Sequence, residues 1–291
     1  MGDRGGLPIA HGPSPSVIKK KKIIDLKLRL AALGDMSELI STKGLTKRFG
    51  GLVAVDGVEL RIEEGQVAGV MGPNGSGKTT LFNLLSGLFR PSEGQILFQG
   101  KDITHLAPHK RVEMGMARTF QLVSVFDSLT AWENLVLSTI RFRKGQQTVA
   151  NLYFAPAQKR TILNSCLEAL EMVGLTEQAE NPTSELSYGE KRMLEIGIAL
   201  SLRPRLLLLD EPLAGLSDHE ISEVLNLIDR VKKNFTLVII EHKISKIMDL
   251  VETLTVINLG RIICQGDPGQ VLCEPSVREC YWGKETDTCS M

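Results

Sequence analysis

The spacing of apolar residues changes twice along the chain and divides it into segments of different structure. From Glu38 onward, short apolar runs rich in β-branched residues alternate with turn residues, which predicts β-strands. The strands predicted in this first part cover residues 39–42, 58–62, 67–71 and 95–98. Two later runs, 206–209 and 237–240, are almost entirely apolar, as expected of strands that are buried on both faces of a parallel sheet.

Between residues 122 and 185 the strand pattern disappears and apolar residues recur at helical spacing. One helix is predicted over residues 132–140, and a second is predicted from the positions of Ile162, Cys166, Leu167, Leu170 and Val173. Further helical runs cover residues 80–88, 191–200, 220–232 and 243–251. The pattern therefore predicts an α/β core interrupted by a helical subdomain at about 122–203.

The predicted domain spans residues 38–283 and is flanked by two tails, 1–37 and 284–291. The N-terminal tail is rich in Gly and Pro and contains four consecutive lysines, 19–22. This composition predicts a disordered, solvated, basic tail. The alternative is that the lysines contact an anionic lipid surface.

Composition limits the classes of protein to which the chain can belong. It has 291 residues, of which 43% are hydrophobic and 23% are charged, and this balance is typical of a globular protein. Lys and Arg total 34, and so do Asp and Glu, so net charge gives no reason to expect nucleic acid as the partner.

Targeting signals and cysteine spacing indicate the compartment in which the protein is expected. We find no apolar run long enough to span a membrane and no secretion signal, so we expect a soluble, unsecreted protein. The five cysteines form no C-x-x-C pair, and we expect them to be reduced thiols.

The most specific motif lies directly after the predicted strand 67–71. Residues 72–79 read G-P-N-G-S-G-K-T and match the phosphate-binding loop G-x-x-x-x-G-K-[ST], which requires a strand before it and a helix after it. Backbone amides and the helix N-terminus would cradle the phosphates, Lys78 would pair with the β- and γ-phosphates, and the Thr79 hydroxyl would ligate Mg²⁺. The predicted nucleotide-binding residues are Gly72, Pro73, Asn74, Gly75, Ser76, Gly77, Lys78, Thr79 and Thr80. The expected ligand is a nucleoside triphosphate with magnesium.

A pair of acidic residues, Asp210 and Glu211, follows the apolar run 206–209. The carboxyl ends of strands are where ligands bind in open α/β sheets. Asp210 is suited to hold Mg²⁺, and Glu211 to accept a proton from the water that attacks the γ-phosphate. Taken alone, such a pair could simply begin a polar loop, but next to a phosphate loop it predicts hydrolysis.

The segment L-S-Y-G-E at residues 186–190 lies just ahead of the acidic pair, and with it the chain resembles the ATP-binding cassette ATPases from about Leu39 to Trp282. The resemblance implies a P-loop NTPase core with a mainly parallel sheet, an antiparallel β subdomain and a helical subdomain insertion. It also implies that ATP is held between the phosphate loop of one subunit and Ser187 and Gly189 of a second subunit. The segment departs from the common L-S-G-G-Q form at Tyr188 and Glu190.

Three more residues take roles from this resemblance. Gln121 is similar to the glutamine that senses Mg²⁺ and the attacking water, and His242 to the histidine that hydrogen-bonds the γ-phosphate. Phe49 matches the aromatic residue that stacks on adenine, although packing in the core is the alternative. Ser217 stands where the family often has an Asp, which puts signalling across the dimer through that Asp in doubt.

Several short segments resemble the ATPases of branched-chain amino acid importers and of their urea and amide relatives: R-T-F-Q at 118–121, L-E-I-G at 194–197 and E-P-L-A-G-L at 211–216. This resemblance implies transmembrane permease subunits, a second ATPase subunit, an external solute-binding protein, and a peripheral location on the cytoplasmic face of the plasma membrane. The alternatives are an exporter ATPase of the lipopolysaccharide-transport type, a P-loop kinase, and a soluble ABC protein without a membrane partner.

Overall fold

The computed structural model describes residues 38–142, 156–242 and 244–282. The two predicted tails, with the lysine run, lie outside the described residues. The strands are β1 Glu38–Phe49, β2 Leu52–Val58, β3 Arg61–Glu63, β4 Val67–Met71, β5 Glu93–Phe98, β6 Lys101–Asp102, β7 Met116–Arg118, β8 Leu206–Asp210, β9 Thr236–Ile240, β10 Thr253–Asn258 and β11 Arg261–Gly266. The helices are α1 Lys78–Leu85, α2 Pro108–Glu113, α3 Ala131–Phe142, α4 Pro156–Val173, α5 Tyr188–Ser201, α6 Asp218–Val231, α7 Ile244–Ile247, α8 Pro268–Cys273 and α9 Pro275–Trp282.

A six-stranded sheet in the order β11-β10-β4-β9-β8-β7 forms the core. Its strands are parallel except β11, which runs antiparallel to β10. Every residue of β4, β8 and β9 is buried, which explains why these strands read as continuous apolar runs rather than as alternating patterns. Because parallel strands end on the same side of the sheet, the segments after β4, β8 and β9 lie close together.

A smaller antiparallel sheet in the order β2-β1-β5-β6 lies beside the core, and β3 also pairs with β1. Its buried side chains, among them Leu39, Ile40 and Ile96, share one hydrophobic cluster with α1 and the core sheet. The helical part consists of α3, α4 and α5, which pack on one another. The predicted α/β fold with an antiparallel β portion and a helical insertion is therefore confirmed.

Several element boundaries differ from those predicted. The predicted strand 58–62 is wrong as one element, because β2 ends at Val58 and β3 begins at Arg61. The predicted helix 243–251 is limited to Ile244–Ile247 among the described residues. Strands β6, β7, β10 and β11 were not predicted: β6 and β7 have only two and three residues, β11 is an edge strand, and β10 was missed although it lies inside the core sheet.

The described residues include no membrane-spanning helix and four of the five cysteines. No helix among the described residues is long and apolar enough to cross a membrane. Cys166, Cys264 and Cys280 are free, whereas Cys273 is disulfide-bonded. The expectation of reduced thiols is therefore wrong for Cys273, and Cys289 lies outside the described residues.

Candidate functional site

The phosphate-loop sequence forms a tight turn between β4 and α1. Gly77, the residue before α1, has φ of 106°, a conformation that residues with a side chain rarely adopt. A Cβ atom at Gly77 would lie 2.3 Å from the Ala54 carbonyl oxygen, and one at Gly72 would lie 2.2 Å from that of Ile257. The loop therefore packs directly on the backbone of β2 and β10, and glycine is required at both positions.

Lys78 is folded over this loop. Its Nζ donates to the carbonyl oxygens of Gly72 at 2.7 Å and Pro73 at 3.0 Å, and the residue is buried. Burial lowers the pKa of Lys78, and the nearby carboxylates of Glu211 and Asp210 oppose this effect. The ammonium group is thus held next to the loop amides by weak neutral acceptors, which an anionic phosphate can replace.

Asp210 ends β8 as a buried carboxylate with only one oxygen paired. Its Oδ2 lies 2.7 Å from Nη2 of Arg118, and its Oδ1 has no hydrogen-bond partner among the described residues. Burial raises the pKa of Asp210, while Arg118 acts in the opposite direction. A buried carboxylate oxygen without a partner among the described residues is a ligand that suits Mg²⁺.

Glu211 is held between two of the other predicted site residues. Its Oε1 lies 2.9 Å from Nε2 of His242, and its Oε2 accepts a hydrogen bond of 3.1 Å from Nε2 of Gln121. The backbone of Glu211 has φ of 47°, an unusual value for a residue with a side chain, and such strain concentrates at functional sites. The structure therefore brings Glu211, His242 and Gln121 together from three separate segments.

Glu211, His242 and Gln121 open onto a single cleft of about 480 Å³, whereas Gly72, Pro73 and Asp210 are not among the residues that line it. Its lining includes all the predicted loop residues from Asn74 to Thr80 together with Gln121, Glu211 and His242. Phe49 stands at the same cleft and is 42% exposed, so the alternative of plain core packing is wrong. Its ring makes an edge contact with Phe89, at 5.5 Å between centroids.

Ser187 and Gly189 are not among the residues that line this cleft. Ser187 caps α5, and its Oγ accepts from the Glu190 amide at 3.2 Å while Glu190 accepts from the Ser187 amide at 2.8 Å. The Gly189 amide donates to Oε1 of Glu220 at 3.1 Å. The Gly189 amide is therefore already paired in this chain, because α6 supplies an acceptor.

Comparison with known proteins agrees with this geometry. The model of the ABC transporter family matches residues 55–214. The chain belongs to the ABC transporter family. It is 40% identical over 251 residues to the high-affinity branched-chain amino acid transport ATP-binding protein BraF of Pseudomonas aeruginosa, covering 84% of this chain and 98% of that protein.

Solved structures of ATP-binding cassettes have the same fold. The crystal structure of the ADP conformation of a cassette from an ABC transporter aligns with a TM-score of 0.74 and 31% identity, covering 85% of this chain and 99% of that one. A dimeric cassette in a post-hydrolysis state, bound to ADP and Pi, aligns with a TM-score of 0.67 and 25% identity over 79% of this chain and 98% of that one. This member of the ABC transporter family is thus an ATP-binding ATPase.

Sequence reasoning missed part of this ABC ATPase site. Leu52 and Ala54 of β2 line the cleft, but their residue types do not indicate a role in nucleotide binding. Arg118 was noted only as part of a motif, yet it pairs with Asp210 and donates to Asn83 Oδ1 at 2.7 Å. The sequence shows only that a basic residue lies three positions before Gln121. The pairing of β7 with β8 is what brings this residue close to Asp210.

Proposed function

We propose that this chain is the ATP-hydrolysing subunit of an importer of branched-chain amino acids. The observation that carries the hydrolytic part is the Glu211 carboxylate, which lies between His242 and Gln121 at the phosphate-loop cleft. The transport part is supported by the similarity to BraF along nearly its whole length. Urea or another amide is the alternative cargo.

The residues of the cleft divide the chemistry between them. Lys78 exchanges its two carbonyl acceptors for the β- and γ-phosphates, the amides of residues 74–79 cradle them, and Phe49 stacks on adenine. The Glu211 carboxylate takes a proton from a water whose oxygen bonds to the γ-phosphorus as the bond from that phosphorus to the bridging oxygen of ADP breaks. His242 hydrogen-bonds the γ-phosphate, and Gln121 orients the water.

Magnesium fits this arrangement. Thr79 Oγ1, Asp210 and Gln121 would hold the ion, since the Asp210 Oδ1 atom is buried and lacks a partner among the described residues. Bound there, Mg²⁺ supplies charge that stabilises the β- and γ-phosphate oxygens during transfer.

Two subunits complete the site in this proposal. Ser187 caps its helix by accepting from an amide, so its hydroxyl proton stays available for a phosphate presented by a second subunit. The dimeric ADP- and Pi-bound cassette with the same fold supports such a pairing. The second subunit is either another copy or a different ATPase of the same family.

A membrane partner would cover the exposed apolar residues that follow β7. Phe120, Leu122 and Phe126 are 43%, 80% and 61% exposed, and adjacent exposed apolar side chains mark interaction surfaces. They flank Gln121, so a permease bound there would sense the state of the cleft. The chain then works as a peripheral protein on the cytoplasmic face of the membrane, with a permease and an external solute-binding protein.

The test is purification from detergent-solubilised membranes followed by reconstitution in liposomes. We expect the wild-type chain to co-purify with hydrophobic partners, to hydrolyse ATP, and to drive uptake of labelled leucine in preference to urea. Lys78→Ala should co-purify equally but lose turnover and uptake, whereas Lys101→Ala, at an exposed strand position that does not line the cleft, should behave as wild type. Turnover in Lys78→Ala would contradict the site, and uptake of urea alone would contradict the cargo.

A further inference from the structure

The loop that carries Gln121 has neither helical nor strand structure of its own. Residues 119–122 lie between the end of β7 and the helical subdomain. The Phe120 and Gln121 side chains are exposed, so they contribute little packing that could fix the backbone. The position of Gln121 relative to Glu211 therefore depends on the contacts made by the loop backbone.

Two buried charged residues of α5 supply these contacts. Nη1 of Arg192 donates to the Phe120 carbonyl oxygen at 2.7 Å, and Nη2 donates to that of Gln121 at 2.8 Å. Oε1 of Glu195 accepts the Phe120 amide at 3.0 Å, and its Oε2 accepts from Nη1 of Arg192 at 2.7 Å. The two side chains thus bond to both the N–H and the carbonyl of Phe120.

The same guanidinium also reaches the residue that Gln121 contacts. Nη2 of Arg192 lies 3.5 Å from the carbonyl oxygen of Glu211. Arg192 therefore touches the backbone on both sides of the hydrogen bond between Gln121 and Glu211. A fixed planar fork can hold several acceptors at once, which a lysine ammonium cannot do with the same geometry.

Stability alone does not explain this pair. Arg192 is 0% exposed and Glu195 is 6% exposed, and burial raises the pKa of Glu195 against the effects of the Phe120 amide and Arg192. Well-packed apolar side chains usually stabilise a core at least as much as a buried ion pair does. What apolar side chains cannot do is fix the direction of a loop backbone by hydrogen bonds.

We propose that Arg192 and Glu195 are positioning residues, a clamp that holds Gln121 against Glu211 and ties this contact to α5. The inference rests on the proposed hydrolytic function. The helix α5 starts directly after Ser187, about one turn before Arg192. Any displacement of the helix start on binding a second subunit's nucleotide therefore reaches the Gln121 loop through the clamp.

The first test is Glu195→Gln, which keeps the shape of the side chain and removes its charge. We expect kcat to fall about tenfold, while the Kd for ATP changes less than twofold, because the clamp acts on the attacking water rather than on the phosphate loop. Glu168→Gln is the matched control, since it breaks an exposed Arg–Glu pair, with Arg203, in the same subdomain. The control should keep wild-type kcat.

A double-mutant cycle with Gln121→Ala separates positioning from a merely structural role. If Glu195 acts through Gln121, Glu195→Gln should have little further effect on kcat once Gln121 is removed. Independent, multiplicative losses would overturn the proposal, and so would a kcat of wild-type value in Glu195→Gln. If that variant does not fold, Arg192→Lys in the same cycle carries the test.

Hydrogen exchange provides a readout that does not need activity. The amide of Phe120 should exchange faster in Glu195→Gln than in Glu168→Gln, measured on the peptide that contains residues 119–122. An unchanged exchange rate would contradict the clamp. If the wild-type chain did not hydrolyse ATP, the proposed function would be contradicted. The exchange rate of the Phe120 amide would still test the clamp, because it does not depend on activity.

Discussion

At the scale of single residues, the site depends on charges that are buried before the nucleotide arrives. Lys78 is bonded to two carbonyl oxygens of its own loop, and Asp210 is paired with Arg118. In both cases a buried charged group is held in place without a full set of hydrogen-bond partners. Such a group costs free energy in a low-dielectric interior. In the proposed function, a bound phosphate would relieve that cost at Lys78, and a bound magnesium ion would relieve it at Asp210.

The lowered pKa of Lys78 gives the first prediction at this scale. A base with a lowered pKa loses its proton at a lower pH than an ordinary lysine, and the neutral amine binds phosphate weakly. The affinity of the free subunit for ATP should therefore fall on the alkaline side at a lower pH than an ordinary lysine would dictate. Calorimetric titration from pH 7 upward measures this, with melting curves at each pH to exclude unfolding. A flat affinity up to the ordinary lysine range would contradict it.

Residue types and motif spacing were sufficient to predict most of the cleft. The loop residues and Glu211 were predicted from the residues themselves, because phosphate and water chemistry restrict which side chains can serve, whereas Gln121 and His242 were predicted from the resemblance to the ATP-binding cassette ATPases. Arg192 and Glu195 were not predicted. A charged pair at i and i+3 on a helix usually lies on a solvated face, and only packing reveals that this pair is buried.

At the scale of elements, backbone conformation controls the phosphate loop as strongly as its side chains do. Gly77→Ala would force a Cβ atom to 2.3 Å from the backbone oxygen of Ala54, and backbone cannot move aside cheaply. We expect the nucleotide-free chain to lose roughly 3 kcal/mol of unfolding free energy, combining left-handed strain with this clash.

Gly100→Ala is the matched control for this prediction. Gly100 has φ of 70° with nothing within 4 Å of its Cβ position, so its replacement should cost about 1 to 2 kcal/mol from strain alone. Denaturant unfolding of both variants gives the comparison. Equal losses would mean that the contact with Ala54 does not hold the loop.

Local sequence signals mark the starts of two helices, although the predicted helices 191–200 and 220–232 began three and two residues after the observed starts of α5 and α6. The start of α5 has a capping box from Ser187 and Glu190, and α6 has another from Ser217 and Glu220, both of which are local sequence signals. The strands β7 and β10 carry weaker signals, because their stability comes from pairing with β8 and β4 rather than from their own composition.

At the scale of the whole molecule, the predicted nucleotide-binding residues lie on two separate surfaces. Ser187 and Gly189 do not line the cleft that holds Lys78 and Glu211, so one chain alone does not place them on the same phosphate. Glu211→Gln should bind ATP normally and hydrolyse it at least about a hundredfold more slowly, since it lacks the proton acceptor. We expect a nucleotide-bound dimer on gel filtration.

The double variant Lys78→Ala/Glu211→Gln is the control for the dimer. It keeps the same surfaces but lacks the phosphate cation, and it should elute as a monomer with ATP present. A Glu211→Gln chain that stays monomeric at saturating ATP and Mg²⁺ would contradict both the pairing and the assigned proton acceptor. A dimer that forms without nucleotide would contradict the role of ATP in joining the subunits.

The sequence by itself determined the chemistry, because binding a triphosphate requires a few residue types at short, fixed spacing within one strand-loop-helix unit. It also determined the α/β class, because burial on both faces leaves continuous apolar runs. Only the tertiary structure decided which distant residues meet, such as Glu211 with His242 and Gln121, or Arg192 with the Gln121 loop. Those contacts join segments separated by tens of residues, and their geometry follows from the order of strands in the sheet, which no local pattern encodes.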